Sequence, residues 1–130
     1  MPKKTVDVVI PDGYKINNAE REAAWILANY YKTVVRVLRP SEKYMEKTAD
    51  FAINGIHYEL KTPKSAKVRS IEKLIHAATK QSKNVIIDSR KTRVTEKRMI
   101  EICVDRLAHI RNLSRIVLIV GKKKVLEFSK

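Results

Sequence analysis

The chain has 130 residues, 44% of them hydrophobic, which is enough for one modest core and too little for two. Its 28 lysine and arginine residues outnumber 14 acidic ones and give a formal charge of +14, which indicates a polyanionic partner, nucleic acid above all. One cysteine excludes an internal disulfide and a cysteine-rich zinc site, and no apolar run reaches the about 20 residues of a membrane span.

The first part of the chain predicts an edge strand, a helix and a core strand. The short run Val6–Ile10 is typical of an edge strand. Asn17 or Asn18 can cap a helix over Ala19–Tyr31, whose apolar residues recur at helical spacing. The β-branched run Thr33–Leu38 then predicts the first core strand.

A β-hairpin is predicted at the centre of the chain. Two apolar-rich runs, Ala49–Ile53 and Ile56–Lys61, flank Asn54-Gly55, which suits a two-residue turn with positive φ at both positions. Counting pairs from this turn places Asp50 opposite Glu59, at a position without backbone hydrogen bonds between the two residues. The two-residue period puts four polar side chains on one face of the hairpin: Asp50, His57, Glu59 and Lys61.

The charged face of this hairpin has two interpretations. Two opposed carboxylates repel each other unless a cation lies between them, and a divalent ion is commonly held by one or two carboxylates plus waters. Lys61 could then orient or deprotonate a metal-bound water, so that Asp50, Glu59 and Lys61 form a hydrolytic site for phosphodiesters. The alternative is an exposed hairpin face with a Glu–Lys surface pair.

The remaining elements predict an α/β fold. The polar loop Arg39–Lys47 leads into the hairpin, and the alternation of helices and strands after it favours a mixed sheet with helices on both faces. These later elements are a helix over Ile71–Ser82 capped by Ser70, a buried strand Asn84–Asp88, a helix over Thr95–Ile110, a strand Arg115–Val120 and an edge strand Lys124–Phe128.

Basic residues are dense in two segments, Lys61–Arg69 and Ser89–Arg98, which could contact phosphate groups. Asp88, at the end of its strand, is expected to cap the loop that follows. The predicted nucleic-acid-binding residues are Lys64, Lys67, Arg69, Arg90, Arg93 and Arg98.

The hairpin motif resembles that of a known superfamily. Asp50, followed across the turn by Glu59-Leu60-Lys61, is similar to the Asp-x(n)-Glu-x-Lys signature of the PD-(D/E)XK nucleases, although Ala49 replaces the proline that names the motif. The predicted order helix-β-β-β-helix-β over residues 19–88, followed by helix-β-β, also resembles the superfamily core. This resemblance implies that Asp50 and Glu59 bind a divalent metal ion, Mg²⁺ before Mn²⁺ or Zn²⁺, and that Lys61 assists the attacking water.

The same resemblance adds two further catalytic candidates. It implies that Glu20, on the inner side of the first helix, joins the metal site with Asp50 and Glu59, and that Gln81 approaches this site from the end of the second helix. For Glu20 the alternative is a glutamate of the first helical turn, favoured there by the helix dipole.

Three segments, Pro11–Glu20, Ala49–Pro63 and Gln81–Asp88, resemble more closely the C-terminal nuclease domains of CdiA-type toxins of bacterial contact-dependent growth inhibition, many of which cleave tRNA. The resemblance implies one nuclease domain over residues 1–130, with an N-terminal extension (1–18), a catalytic core (19–88) and a C-terminal helix and strands (89–130). It further implies delivery within a larger secreted toxin, action in the target-cell cytoplasm, a cognate immunity protein and a host activating factor. Charge complementarity favours an acidic immunity protein.

Three functions therefore compete. The first is a metal-dependent nuclease, with tRNA favoured as substrate through the resemblance; the second is a DNA nuclease of a phage or mobile element. Phosphate contacts carry no base information, so the sequence does not separate these two. The third is a non-catalytic nucleic-acid-binding module, which would gain nothing from two opposed carboxylates. Few aromatic residues, Trp25 among them, are available for base stacking, and most of these residues are predicted to face the core.

Overall fold

A computed structural model describes residues 5–39 and 49–130, so the predicted loop Arg39–Lys47 lies, except for Arg39, outside the described residues. Seven strands form one sheet in sequence order within this part of the chain. The elements are β1 (Asp7–Val9), α1 (Asn18–Tyr31), β2 (Val34–Val37), β3 (Phe51–Ile53), β4 (Ile56–Lys61), α2 (Val68–Ala78), β5 (Asn84–Asp88), a short 3₁₀ helix (Ser89–Lys91), α3 (Glu96–His109), β6 (Arg115–Gly121) and β7 (Lys124–Ser129).

The sheet is mixed, and its pairing brings three strand ends together. Strands β4, β5 and β6 are parallel neighbours, because α2 and α3 carry the chain back between them. The β1–β2 pair is also parallel, whereas β2–β3, β3–β4 and β6–β7 are antiparallel. Strands β4, β5 and β6 therefore end at the same edge of the sheet, and their last residues are Lys61, Asp88 and Gly121. We call this edge the carboxyl edge. Clefts beyond such an edge are where open α/β sheets bind ligands.

The predicted hairpin is confirmed in its turn and in its first three pairs. Asn54 and Gly55 both have positive φ, 50° and 80°, as a two-residue hairpin turn requires. Phe51 pairs with Tyr58, and Ile53 with Ile56, as predicted. Asparagine and glycine tolerate this backbone conformation better than other residues do, which is why this dipeptide was sufficient to predict the turn.

Helices pack on both faces of the sheet, as predicted. Helix α1 buries Ala23 and Leu27 against one face, together with Ile86 of β5. Helices α2 and α3 cover the other face, where Val85 and Ile87 of β5 point. A central strand that is covered on both sides must be apolar at every position, which explains the continuous apolar run. Of the helices in the described residues, none is both long and apolar enough to cross a membrane.

The boundaries of α2 differ from the prediction. The helix begins at Val68 rather than Ile71, so Ser70 lies inside its first turn and is not the cap. Val68 packs against the same core as Ile71, three residues on, and this contact extends the helix backwards. The helix ends at Ala78, and Ser82, which was predicted as its last residue, instead donates a hydrogen bond from its hydroxyl to the His57 carbonyl of β4, at 2.8 Å.

Candidate active site

A cavity of about 680 Å³ opens at the carboxyl edge, between the start of α1 and the end of β4. It brings together Glu20, Asp50, Glu59 and Lys61, four of the five residues predicted to be catalytic. Glu20 lies on α1, whereas the other three residues belong to the hairpin, 30 or more positions further along the chain. The fold therefore creates their proximity. The remaining lining residues are Asn17, Ala19, Leu60, Thr62, Lys64 and Lys91.

Asp50 is held rigidly, but not in the predicted way. The regular ladder between β3 and β4 ends at Phe51–Tyr58, and the predicted Asp50–Glu59 ladder pair is absent from the register. Instead the Asp50 N–H donates to the Tyr58 carbonyl at 2.9 Å, one residue out of step. The Asp50 Oδ2 atom then accepts from the Leu60 N–H at 2.8 Å. This local irregularity turns the carboxylate towards the backbone of β4, beside Glu59.

Glu59 is the second acidic residue of the site and the more deeply buried. It is only 7% exposed. Burial, a hydrogen bond with Asp50 and the negative charge of Asp50 together raise the pKa of Glu59 to about 7, although the nearby Lys61 acts in the opposite direction. The Lys61 Nζ atom lies 3.6 Å from Glu59 Oε2. The charged face is thus a partly buried carboxylate pair with an adjacent lysine, and not an exposed Glu–Lys surface pair.

This raised pKa predicts how stability depends on pH. A carboxyl group with a higher pKa in the folded than in the unfolded chain contributes stability that is fully present below about pH 4.5 and is lost as the pH rises through about 7. In EDTA, we therefore expect Glu59→Gln to match the wild type at pH 5 and to be more stable by about 1 to 3 kcal/mol at pH 8.5. Urea unfolding at both pH values measures this, and parallel pH profiles would contradict it.

Glu20 reaches the cavity from the first turn of α1. Its N–H donates to Asn17 Oδ1 at 2.8 Å, and Asn17 Nδ2 donates back to Glu20 Oε1 at 2.8 Å. Asn17 is therefore the N-cap of α1, and its side chain satisfies the Glu20 N–H, which explains why the helix begins here. Burial first, and then the negative charge of Asp50, raise the pKa of Glu20, whereas the hydrogen bond with Asn17 acts against them. Glu20 is thus a glutamate of the first helical turn, and it also lies within electrostatic range of Asp50.

Arg90, one of the predicted nucleic-acid-binding residues, is bound within the protein by two carboxylates. Its guanidinium binds both carboxylate oxygens of Asp88, at 2.9 and 2.7 Å. It also donates to Glu22 Oε2 at 2.7 Å and to the Ala19 carbonyl at 3.3 Å. Asp88 is fully buried and accepts from the Arg90 N–H, so the expected capping of the following loop is confirmed. These hydrogen bonds occupy the guanidinium and tie the first turn of α1 to the end of β5.

Gln81 is not brought to the cavity. It follows α2 and precedes β5, which runs parallel to β4, so it lies at the edge of the sheet opposite to Lys61. Its N–H closes the turn after α2 by donating to the Ala78 carbonyl at 2.9 Å. The resemblance to a superfamily pattern suggested Gln81, but the early end of α2 leaves this residue in a turn far from the carboxylates.

The other predicted nucleic-acid-binding residues lie on the surface. Lys64 lines the cavity and is exposed. Lys67 and Arg69 are exposed at the start of α2, directly after the segment that leaves the cavity. Arg93 is exposed before α3, and Arg98 is exposed in its first turn, where it pairs with Glu101 at 3.2 Å. Apart from Lys64, these basic residues do not line the cavity itself.

The site region also contains polar residues that were not among the predicted ones. Asn17 and Lys91 line the cavity. Burial, followed by the negative charges of Glu20 and Asp50, raises the pKa of Tyr14, which places this phenol near both carboxylates. Lys91 could have been found from the sequence, because it follows the buried strand β5 by three residues and parallel strands end at a common edge. No sequence pattern singles out Tyr14.

The acidic residues suit a hard divalent cation with few protein ligands. Within residues 5–39 and 49–130, no three side chains among histidine, cysteine, aspartate and glutamate form a ready-made ligand set. Zn²⁺ sites usually need at least three such ligands, whereas Mg²⁺ is held by one or two carboxylates and keeps several waters. The Asp50–Glu59 pair, in which burial and then the interactions with Asp50 raise the pKa of Glu59, fits the second case. A cation between them would relieve their mutual repulsion.

Comparisons with known proteins agree with the toxin resemblance. A solved structure described as a CdiA-CT/CdiI toxin and immunity complex from Burkholderia pseudomallei shares the fold, with a TM-score of 0.67 and 18% sequence identity over 95% of this chain and 99% of that one. No curated protein matches the chain significantly in sequence. Residues 47–125 match the family described as the contact-dependent growth inhibition CdiA C-terminal domain. This match covers more than half of the chain, and the protein therefore belongs to the CdiA C-terminal domain family.

Proposed function

We propose that this domain is a metal-dependent ribonuclease toxin of the PD-(D/E)XK type, with tRNA as its preferred substrate. The observation that carries the proposal is the carboxylate pair Asp50–Glu59 beside Lys61, in a cavity with a basic rim. Membership of a toxin domain family supports it, as does the observed order of elements from α1 to β5, which follows the superfamily core.

Each residue of the cavity has a role in this proposal. Asp50 and Glu59 would hold the divalent ion, with Glu20 as a third carboxylate lining the same cavity. When bound, the ion supplies a Lewis acid and lowers the pKa of a coordinated water. Lys61 orients the attacking water and stabilises the negative charge that develops on the phosphate. The Leu60 N–H fixes the Asp50 carboxylate through a 2.8 Å hydrogen bond, so that little reorganisation is needed.

Charge supports nucleic acid as the substrate. The chain carries +14, and Lys64 and Lys91 line the cavity beside the two acids. Lys67 and Arg69 continue this basic surface at the start of α2, where they would contact the backbone on one side of the cut. RNA is chosen over DNA through the family, since phosphate contacts alone do not distinguish them.

The family also supports a partner and a route of delivery. The structurally similar Burkholderia protein is described as a toxin bound to an immunity protein. We propose that this domain likewise binds a cognate immunity protein, acidic enough to complement the basic cavity. It would be delivered as part of a larger secreted toxin and act in the cytoplasm of the target cell, where a host factor could activate it.

Cleavage assays test the substrate and the metal together. Total bacterial RNA and supercoiled plasmid are each incubated with the protein in Mg²⁺, Mn²⁺, Zn²⁺ or EDTA. We expect discrete tRNA fragments in Mg²⁺ or Mn²⁺ and none in EDTA, because two carboxylates without bound metal repel each other and cannot activate water. Cleaved plasmid with intact RNA would move the protein to the DNA nucleases. Intact nucleic acids that still bind the protein, with and without a cell extract, would favour a non-catalytic binding module.

A further inference from the structure

A groove runs along the outer side of α1, away from the candidate active site. It consists of two adjoining cavities of about 320 and 200 Å³ between α1 and the turn that joins β6 to β7. The two cavities share Ile26, Asn29 and Lys122. We call this surface the α1 groove.

Two aromatic residues on the α1 groove are exposed, as exceptions to the prediction that the aromatic residues mostly face the core. Trp25 is 41% and Tyr30 is 42% exposed. The Tyr30 hydroxyl is held by Glu127 Oε2 at 2.9 Å, and Asn29 Nδ2 donates to the Trp25 carbonyl at 2.9 Å. Trp25 and Tyr30 thus present partly exposed aromatic rings at the α1 groove, beside its cationic side chains. Aromatic rings beside cations are the groups on which unpaired bases stack.

The α1 groove is also basic. Arg21 lies one turn before Trp25 on α1, and Lys122 and Lys123 project from the β6–β7 turn. Two carboxylates adjoin the groove: Glu22 is paired with Arg90 at 2.7 Å, and Glu127 accepts the hydrogen bond of the Tyr30 hydroxyl. The charges of Lys122 and Lys91, after the interactions with Arg90, also contribute to a lowered pKa of Glu22. Lys91 lines the active-site cavity, so a basic surface continues from that cavity to the groove on both sides of Glu22.

We infer that the α1 groove binds an unpaired nucleotide of the RNA substrate, whose base stacks on Trp25 while its phosphates contact Arg21, Lys122 and Lys123. This inference rests on the proposed function, because the groove would hold the strand that enters the active site. Base stacking on exposed aromatic rings between cations is the usual mode of single-strand recognition. An acidic protein could satisfy the same cations. The continuity of positive charge with the phosphodiesterase site favours a nucleic acid strand.

Trp25 is the chain's single tryptophan, so its fluorescence reports directly on this interaction. The Glu59→Gln protein in EDTA is titrated with an unstructured RNA of about 12 nucleotides, a length within the range that one binding face covers. We expect saturable quenching of Trp25 at the RNA concentration at which the anisotropy of an end-labelled RNA also saturates. The quenching should disappear at high salt, because phosphate binding releases counterions.

Variants separate stacking from charge in the same Glu59→Gln background. Trp25→Ala should weaken RNA binding about tenfold or more, and Trp25→Phe, which keeps an aromatic face, should recover most of that loss. The double change Lys122→Ala/Lys123→Ala should reduce the slope of log K against log salt by about 0.7 for each phosphate that the lysines no longer neutralise. Val104→Ala is the matched control, since Val104 is an exposed apolar residue of α3, on the other face of the sheet.

The outcomes distinguish this inference from the proposed function. If the RNA binds by anisotropy while Trp25 fluorescence and the affinity of Trp25→Ala stay unchanged, the inference is wrong and the ribonuclease proposal stands. The α1 groove would then be a surface for a protein partner. If no RNA binds at all, the inference is wrong, and the cleavage assay with tRNA and metal decides the ribonuclease proposal separately.

Discussion

Replacing Glu59 with glutamine is expected to lower the rate of RNA cleavage at least about 1,000-fold, because the loss of one of two cation-binding carboxylates removes several kcal/mol of transition-state stabilisation. Glu59 is the buried member of the pair and lies 3.6 Å from Lys61 Nζ, so its carboxylate interacts with both proposed catalytic partners. RNA binding should be unchanged or tighter, since the substitution removes a negative charge near the phosphate. Single-turnover cleavage and filter binding measure the two effects separately.

Asp50→Asn should have a similar effect, for the same reason. Asp105→Asn provides the control: it makes the same carboxylate-to-amide change on α3, where Asp105 pairs with Arg106 at 2.6 Å outside the cavity. The control should cleave RNA at the wild-type rate. Full activity of either Glu59→Gln or Asp50→Asn would show that the carboxylate pair is not the catalytic site, whatever the substrate.

Replacing Arg90 with methionine is expected to lower the free energy of unfolding by about 3 to 5 kcal/mol. Asp88 is fully buried, and both of its oxygens are held by the Arg90 guanidinium. Without that guanidinium, a carboxylate remains in the interior with no counter-charge. The same change also releases Glu22 and the Ala19 carbonyl, so the start of α1, which carries Glu20, should become less ordered. Urea denaturation with circular dichroism measures the loss of stability.

Two further variants test the cause of this effect. Arg93→Met, an exposed arginine three residues on, should change stability by no more than about 0.5 kcal/mol. Arg90→Met/Asp88→Asn should be more stable than Arg90→Met alone, because no buried charge is left unpaired. If Arg90→Met folds with wild-type stability but flattens the salt dependence of RNA binding, then Arg90 is a phosphate contact after all and the structural role assigned to it is wrong.

Local signals in the sequence were sufficient for most of the secondary structure. The turn at Asn54-Gly55 requires positive φ, which few residues tolerate, and the register of the hairpin followed by counting. The start of α1 is determined by Asn17 and Glu20, three positions apart. The Asn17 side chain accepts a hydrogen bond from the Glu20 N–H and donates one to the Glu20 carboxylate. The apolar run of β5 correctly indicated a strand that is covered on both faces. Each of these signals depends only on residues that are neighbours along the chain.

The candidate site was predicted only in part. Asp50, Glu59 and Lys61 were found because a regular hairpin carries all three. The interaction between the two carboxylates, however, depends on an irregularity at Asp50 that turns its side chain to the Leu60 N–H. Glu20 could be ranked above Glu22 from helical periodicity, which indicates the face of a helix. Periodicity does not indicate what lies opposite that face, so the proximity of Glu20 to Asp50 came from the structure.

Patterns along the chain were thus enough to establish the order and type of the elements, the positions of the main turn and of the first helix cap, and the strong positive charge. The packing of the elements was needed to show that Arg90 is bound to Asp88 and Glu22, that Gln81 lies at the far edge of the sheet, and that Trp25 faces solvent. The physical reason is the range of the interactions. Backbone preferences and hydrophobic periods act within a few residues, whereas the Arg90–Glu22 pair joins positions 68 residues apart, whose proximity follows from the packing of α1 on the sheet.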